Sequence, residues 1–132
     1  MKVFADTAFF VAGLNSRDQH HEIANRLALD YAGQTFTSYW VLLEVANYFA
    51  ASLNRETAGK LIDSVLADPQ VECVKPDWNS FEAGLRLYRD RPDKSWSLTD
   101  CISFILMRER GVEKALTSDH HFEQAGFRIL MK

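Results

Sequence analysis

Apolar runs of four or five residues alternate along the chain with longer stretches of helical periodicity, and this alternation restricts the fold more than any other feature. Residues 2–5, 34–38, 71–74, 114–118 and 127–130 read as short strands. Between them, residues 17–31 carry apolar side chains at Ile23, Ala24, Leu27, Ala28 and Tyr31, one face of a helix that Gly33 then stops. Residues 39–53 form a nearly all-apolar helix, 56–67 an amphipathic one, 78–88 another, and 98–110 a further one closed by Gly111. Residues 90–95 are a polar loop, and 120–124 a short helical turn. Strands separated by helices need crossover connections. The expected fold is therefore α/β, a three-layer α/β/α sandwich with a mainly parallel sheet of four to five short strands. In such sheets ligands bind beyond the carboxyl ends of the strands, near the point where strand order reverses.

The length of 132 residues suits one domain, 1–132, with 47% hydrophobic residues to fill a core. Cys73 and Cys101 have no zinc-type or redox spacing and read as reduced core thiols. The first residues reach Asp6 too soon for a signal-peptide hydrophobic region. The most apolar stretch, 36–53, contains Glu44 and is short for a membrane span. A cytoplasmic protein is expected. The net charge of −3 points away from binding nucleic acid through overall electrostatics. If this chain handles RNA or DNA, cations must screen its acids or local Arg and Lys must supply the attraction.

Four acids stand where ordinary surface residues do not. Asp6 directly follows the first strand and Asp119 the fourth, so both fall at strand carboxyl ends. Each could equally be a helix cap or turn residue. Glu44 is the only charged residue between Thr35 and Leu53. A carboxylate on a helix apolar all round needs a cation or a metal. Asp100 opens another apolar helix, and Ser97-Leu98-Thr99-Asp100 also has capping-box spacing. Capping and metal binding do not exclude each other there, because a helix amino terminus favours a carboxylate in either role. Oxygen-only donors suit Mg²⁺ or Mn²⁺ better than zinc. The clustered charges are tolerable only when a cation neutralises them.

Together these segments resemble the PIN-domain nucleases, and most of all the VapC toxins of bacterial toxin–antitoxin pairs. The carriers are Val3-Phe4-Ala5-Asp6-Thr7, Thr37-Ser38-Tyr39-Trp40-Val41-Leu42-Leu43-Glu44-Val45, Ser97-Leu98-Thr99-Asp100-Cys101 and Leu116-Thr117-Ser118-Asp119-His120-His121-Phe122, in an order that spans nearly the whole chain. The resemblance implies an endoribonuclease that hydrolyses RNA phosphodiester bonds with Mg²⁺ or Mn²⁺. Asp6, Glu44 and Asp100 would be its core metal-site acids and Asp119 the fourth, with the hydroxyls of Thr7 and Ser97 beside them. It also implies a small antitoxin partner and a homodimer. Bound cations would reconcile an acidic chain with an anionic substrate. Arg17, Arg55, Arg91 and Lys94 are then candidate phosphate contacts, although each also suits a solvated surface position.

Two other readings stay open at this point. One is a PIN-like module that binds RNA or protein without catalysis. The other is a phosphatase using Asp6 as nucleophile, for which the usual second Asp two positions on is replaced by Ala8. Neighbouring residues of a helix point about 100° apart, so the pairs His20-His21 and His120-His121 are weak chelators unless they lie in loops. His20-His21 reads as surface, and His121 as a possible neighbour of the site through Asp119. Trp40 and Trp96, each close to a proposed acid helix, are core or interface residues.

Overall fold

The alternation resolves into five strands and seven helices in a computed structural model that describes residues 2–132. In chain order they are β1 (Val3–Ala5), α1 (Thr7–Leu14), α2 (His21–Asp30), β2 (Thr35–Ser38), α3 (Tyr39–Tyr48) and α4 (Arg55–Ala67). Then follow β3 (Glu72–Val74), α5 (Trp78–Asp90), α6 (Leu98–Glu109), β4 (Lys114–Leu116), α7 (His120–Gln124) and β5 (Arg128–Ile129). The sheet order is β3-β2-β1-β4-β5, and every pairing is parallel. The expected mainly parallel sheet is thus wholly parallel. Among the described residues, no helix is long and apolar enough to cross a membrane.

Crossovers between parallel strands are right-handed, and this assigns the helices to faces. The chain steps from β1 to β2 to β3 in one direction, which puts α1 to α4 on one face. It then crosses back to β4 and on to β5, which puts α5 to α7 on the other. Helix contacts divide accordingly: α1 packs on α2 and α3, α3 on α4, and α6 on both α5 and α7. Helices α3 and α6 also touch, which opposite faces allow only past the rim of the sheet. The direction reverses between β1 and β4, so the carboxyl ends of these two strands form the switch point where a site is expected.

Strand β1 is central and fully buried at Val3, Phe4 and Ala5. Phe4 meets Phe36 edge-on at 5.1 Å between ring centroids and lies 6.3 Å from Phe122, which meets Phe104 edge-on at 4.9 Å. Through these rings α7 and α6 are held against the strand that leads into Asp6. Gly84 sets the approach of α5 to α6: a Cβ there would stand 2.4 Å from Ile102 Cγ1, a contact real Cβ atoms essentially never make, and a tight 3.0 Å from its backbone Cα.

One helix lies where no element is expected, and two expected helices need correction. The segment 7–14 is a helix that periodicity does not reveal, because Thr-Ala-Phe-Phe-Val-Ala-Gly-Leu is apolar on nearly every side. The second helix begins at His21 rather than residue 17, since residues 15–20 form turns stitched by Asn15 and Asp18. Helix α3 ends at Tyr48, five residues early, and is one-sided. Val41, Leu42 and Val45 are buried, whereas Leu43 and Tyr48 are 60% and 62% exposed. The premise that Glu44 sits on a helix buried all round does not hold; its side chain is half-buried.

Candidate functional site

Each of the four acids is brought to the switch point by a different element, and the fold beneath each explains its position. Asp6 follows β1, and its backbone N–H donates to Leu116 O of β4 at 3.2 Å, carrying the sheet one residue past the strand end. Thr37 donates from Oγ1 to Ala5 O at 2.8 Å, tying β2 to the same point. Asp6 holds the capping position of α1, yet its side chain makes no capping hydrogen bond. Instead Oδ2 accepts from Thr117 Oγ1 at 2.9 Å, and Thr117 Oγ1 in turn accepts from the Asp119 N–H at 3.1 Å. One fully buried threonine therefore orders two of the acids.

Glu44, on the second turn of α3, accepts a hydrogen bond from Thr7 Oγ1 through Oε1. The expected hydroxyl partner of an acid is thus in place. Asp100 and Ser97 form the full capping box. Asp100 N–H donates to Ser97 Oγ at 3.0 Å, and Ser97 N–H donates to Asp100 Oδ2 at 3.2 Å. Asp119 caps α7 by accepting from the His121 N–H at 2.9 Å. Capping therefore accounts for part of the position of Asp100 and Asp119, without removing either from the site. Asp6, Thr7, Glu44, Asp100 and Asp119 all line one open cleft of about 290 Å³, together with Asp18, Tyr48 and Ser118.

Electrostatically the cleft is strained. Burial and the neighbouring Asp100 charge, with a smaller contribution from Glu44, push the Asp6 carboxyl up to about 7 from its ordinary 3.8, against the opposing pull of the nearby Thr7 amide and the hydrogen bond from Thr117. Burial and the charge of Asp119 likewise raise Asp100, partly offset by the Ser97 amide and by His121. Carboxylates that raise one another's proton affinity suit hard cations, which bind oxygen and cancel the repulsion.

Thr117 and His121 are the partners of these acids that sequence reasoning underrated. Nδ1 of His121 lies 3.1 Å from Asp100 Oδ2 and 3.4 Å from Asp119 Oδ1, spanning the two acids. His121 is the expected neighbour of Asp119, and its contact with Asp100 is additional. His120 also comes near: Asp119, His120 and His121 each bring a ligand atom within 4.8 Å of the others. Thr117 gave no signal beyond its place just ahead of Ser118-Asp119. By contrast, the His21 ring packs its Nδ1 against Ala12 O at 2.7 Å, a structural contact.

The basic residues divide as well. Arg17 is exposed and lines a groove that shares Tyr48 with the acidic cleft. Arg91 and Lys94 line a second groove with Arg89 and Ser97, but Arg91 is held by both carboxylate oxygens of Asp93 at 3.0 and 2.9 Å. Arg55 donates to Ala50 O. Trp96 is buried, with Nε1 donating to Gln124 Oε1 at 3.0 Å, so it joins α7 to the loop ahead of α6. Trp40 lines an apolar surface groove with Leu43 and Ile62. Both cysteines are free, and burial pushes each thiol up to about 11.

The sequence profile of the PIN domain matches residues 3–128. The 23S rRNA-specific endonuclease VapC20 of Mycobacterium tuberculosis is 29% identical over 136 aligned residues, covering 95% of each chain. The crystal structure of that VapC20, described as a sarcin–ricin loop cleaving toxin, superposes with a TM-score of 0.88 at 25% identity over 99% of this chain and all of its own. The DNA-bound VapBC structure of Salmonella typhimurium shares the fold at a TM-score of 0.70 and 17% identity, over 98% of this chain and 97% of its own.

Proposed function

The chain belongs to the PIN-domain family, and from that membership we propose that it is a metal-dependent endoribonuclease, the toxin of a toxin–antitoxin pair. The observation that carries this reading is the convergence of Asp6, Glu44, Asp100 and Asp119 in one cleft at the switch point. A buried carboxyl such as Asp6, raised to about 7 by its surroundings, is costly to keep as an anion unless a cation joins it. The similarity to VapC20 supports RNA as the substrate.

In this mechanism Asp6, Glu44 and Asp100 hold Mg²⁺ or Mn²⁺, and Asp119 completes the set. The donors fit the ion: all are oxygens, all line one cleft, and their mutual repulsion supplies the need for positive charge. When bound, the metal supplies Lewis-acid stabilisation of the phosphate and of the oxygens that enter and leave it. The protein's own groups do the positioning. Thr117 fixes the Asp6 carboxylate, Thr7 fixes Glu44, and Ser97 and His121 fix Asp100. With these rotamers set, little reorganisation remains when substrate arrives. One acid of the cluster would also accept the proton of the attacking water.

A small antitoxin partner and a homodimer belong to the same proposal, and the similar VapBC structure supports the first. The test is cleavage of a panel of RNAs, beginning with a sarcin–ricin loop hairpin, with Mg²⁺ or Mn²⁺ and with EDTA. Cleavage should need metal, and Asp6→Asn and Asp100→Asn should abolish it in folded protein. Full activity from Asp6→Asn would refute the mechanism.

A further inference from the structure

Tyr48 is 62% exposed at the carboxyl end of α3, and its ring meets that of the buried Phe49 edge-on at 4.9 Å. Four residues separate it from Glu44, so it stands on the same helix face, about 6 Å further along the axis. Tyr48 also forms the common wall of two depressions. One is the acidic cleft; the other is a groove of about 530 Å³ lined by Leu14, Asn15, Arg17, Ser52, Leu53 and Asn54 among others. Leu53 is wholly exposed there. The groove thus offers an exposed aromatic ring and an apolar edge, with amide and hydroxyl groups and one guanidinium around them. Arg17 forms no ion pair among the described residues, unlike Arg91 across the site.

We propose that this groove is a nucleobase subsite in which Tyr48 stacks on the base of the nucleotide next to the scissile phosphate while Arg17 meets the following phosphate. The proposal rests on the ribonuclease reading and adds the residues that take the base and the phosphate beside the point of cleavage. A base has a flat π-face for the tyrosine and polar edges for Asn15, Asn54 and Ser52. A base within a duplex has its faces covered by its neighbours.

The test is binding of a fluorescein-labelled single-stranded RNA dodecamer of mixed sequence, measured by anisotropy in millimolar Ca²⁺, with the matching duplex as control. Tyr48→Ala should weaken single-strand binding by about 10-fold, within the range for loss of one base–aromatic stack, and leave duplex binding unchanged. Tyr48→Phe should bind as the parent does. The slope of affinity against salt should stay the same for Tyr48→Ala and fall by about one for Arg17→Gln, because only the latter removes a phosphate contact. Mn²⁺ binding by calorimetry should match the parent in both. If Tyr48→Ala binds the single strand like the parent while the parent cleaves RNA, the subsite is refuted and the nuclease stands. If the parent neither binds nor cleaves RNA, both fall. A Tyr48→Ala protein with unchanged RNA affinity but altered sedimentation would assign the patch to a protein partner instead.

Discussion

Removing a charge from the candidate site should stabilise the metal-free protein. Asp6 is buried beside Asp100 and Glu44, and its carboxyl is raised from 3.8 to about 7. A group whose folded proton affinity exceeds its unfolded one binds more protons folded than unfolded throughout that interval. Stability therefore falls as pH rises from about 4 to about 7, and the full penalty is present above it. At about 1.4 kcal/mol for each tenfold in proton affinity, the ceiling is about 4 kcal/mol. Asparagine keeps an oxygen to accept from Thr117 but buries an amide with no assured acceptor, which returns about 1–2 kcal/mol. Asp6→Asn should then gain about 2 kcal/mol near pH 8, a rise in Tm of several degrees for a domain of this size. Thermal melts in EDTA near pH 4 and pH 8 measure it. The advantage should vanish at the lower pH, and added Mn²⁺ should reverse the order by stabilising only the parent. A variant no more stable than the parent at pH 8 without metal, or with the same advantage at both pH values, would refute the electrostatic account.

Other substitutions separate the supporting groups from the fold. His121→Ala should lower Mn²⁺ affinity or RNA cleavage by about 10–100-fold, the usual cost of losing a partner that orients a ligand, with melts showing a folded protein. Thr117→Val leaves Asp6 without its hydroxyl donor and the Asp119 amide without its acceptor; stability should fall by about 1–3 kcal/mol in chemical denaturation, and cleavage with it. Gly84→Ala forces α5 away from Ile102 and should cost about 1–3 kcal/mol of stability, with metal affinity per folded molecule little changed.

How far the sequence reached depended on whether a residue's surroundings are local. The strands and most helices were legible because burial of one face imposes a period on adjacent residues, as in the run of Ile23, Ala24 and Leu27. Helix α1 was not, since a helix with an acidic cleft at its start and the core around it is apolar on most sides and has no period to detect. For α3 the composition misled in the opposite sense. Leu43 and Tyr48 look like core residues but are exposed, so the strongest local argument for Glu44, a stray charge in a buried helix, had a false premise.

The four acids nevertheless meet, because what places them is topology. Asp6 directly follows β1, and Asp119 stands three residues past β4, which ends at Leu116 rather than at the expected residue 118. These neighbouring strands lie 109 residues or more apart along the chain and pair at Ala5 and Leu116. Asp100 reaches them from the start of α6, on the opposite face from the α3 helix that carries Glu44. Thr117 and His121 could not have been chosen from sequence by the same logic. A threonine just past a strand end and a histidine in the first turn of a short helix are common, and only the folded chain shows that one donates to Asp6 and the other bridges Asp100 and Asp119. Charge patterning along the chain therefore finds groups that are costly where they stand, whereas the groups that make that cost bearable become visible only in three dimensions. The two kinds should also differ under mutation: loss of Asp6 relieves the metal-free fold, and loss of its partner Thr117 burdens it.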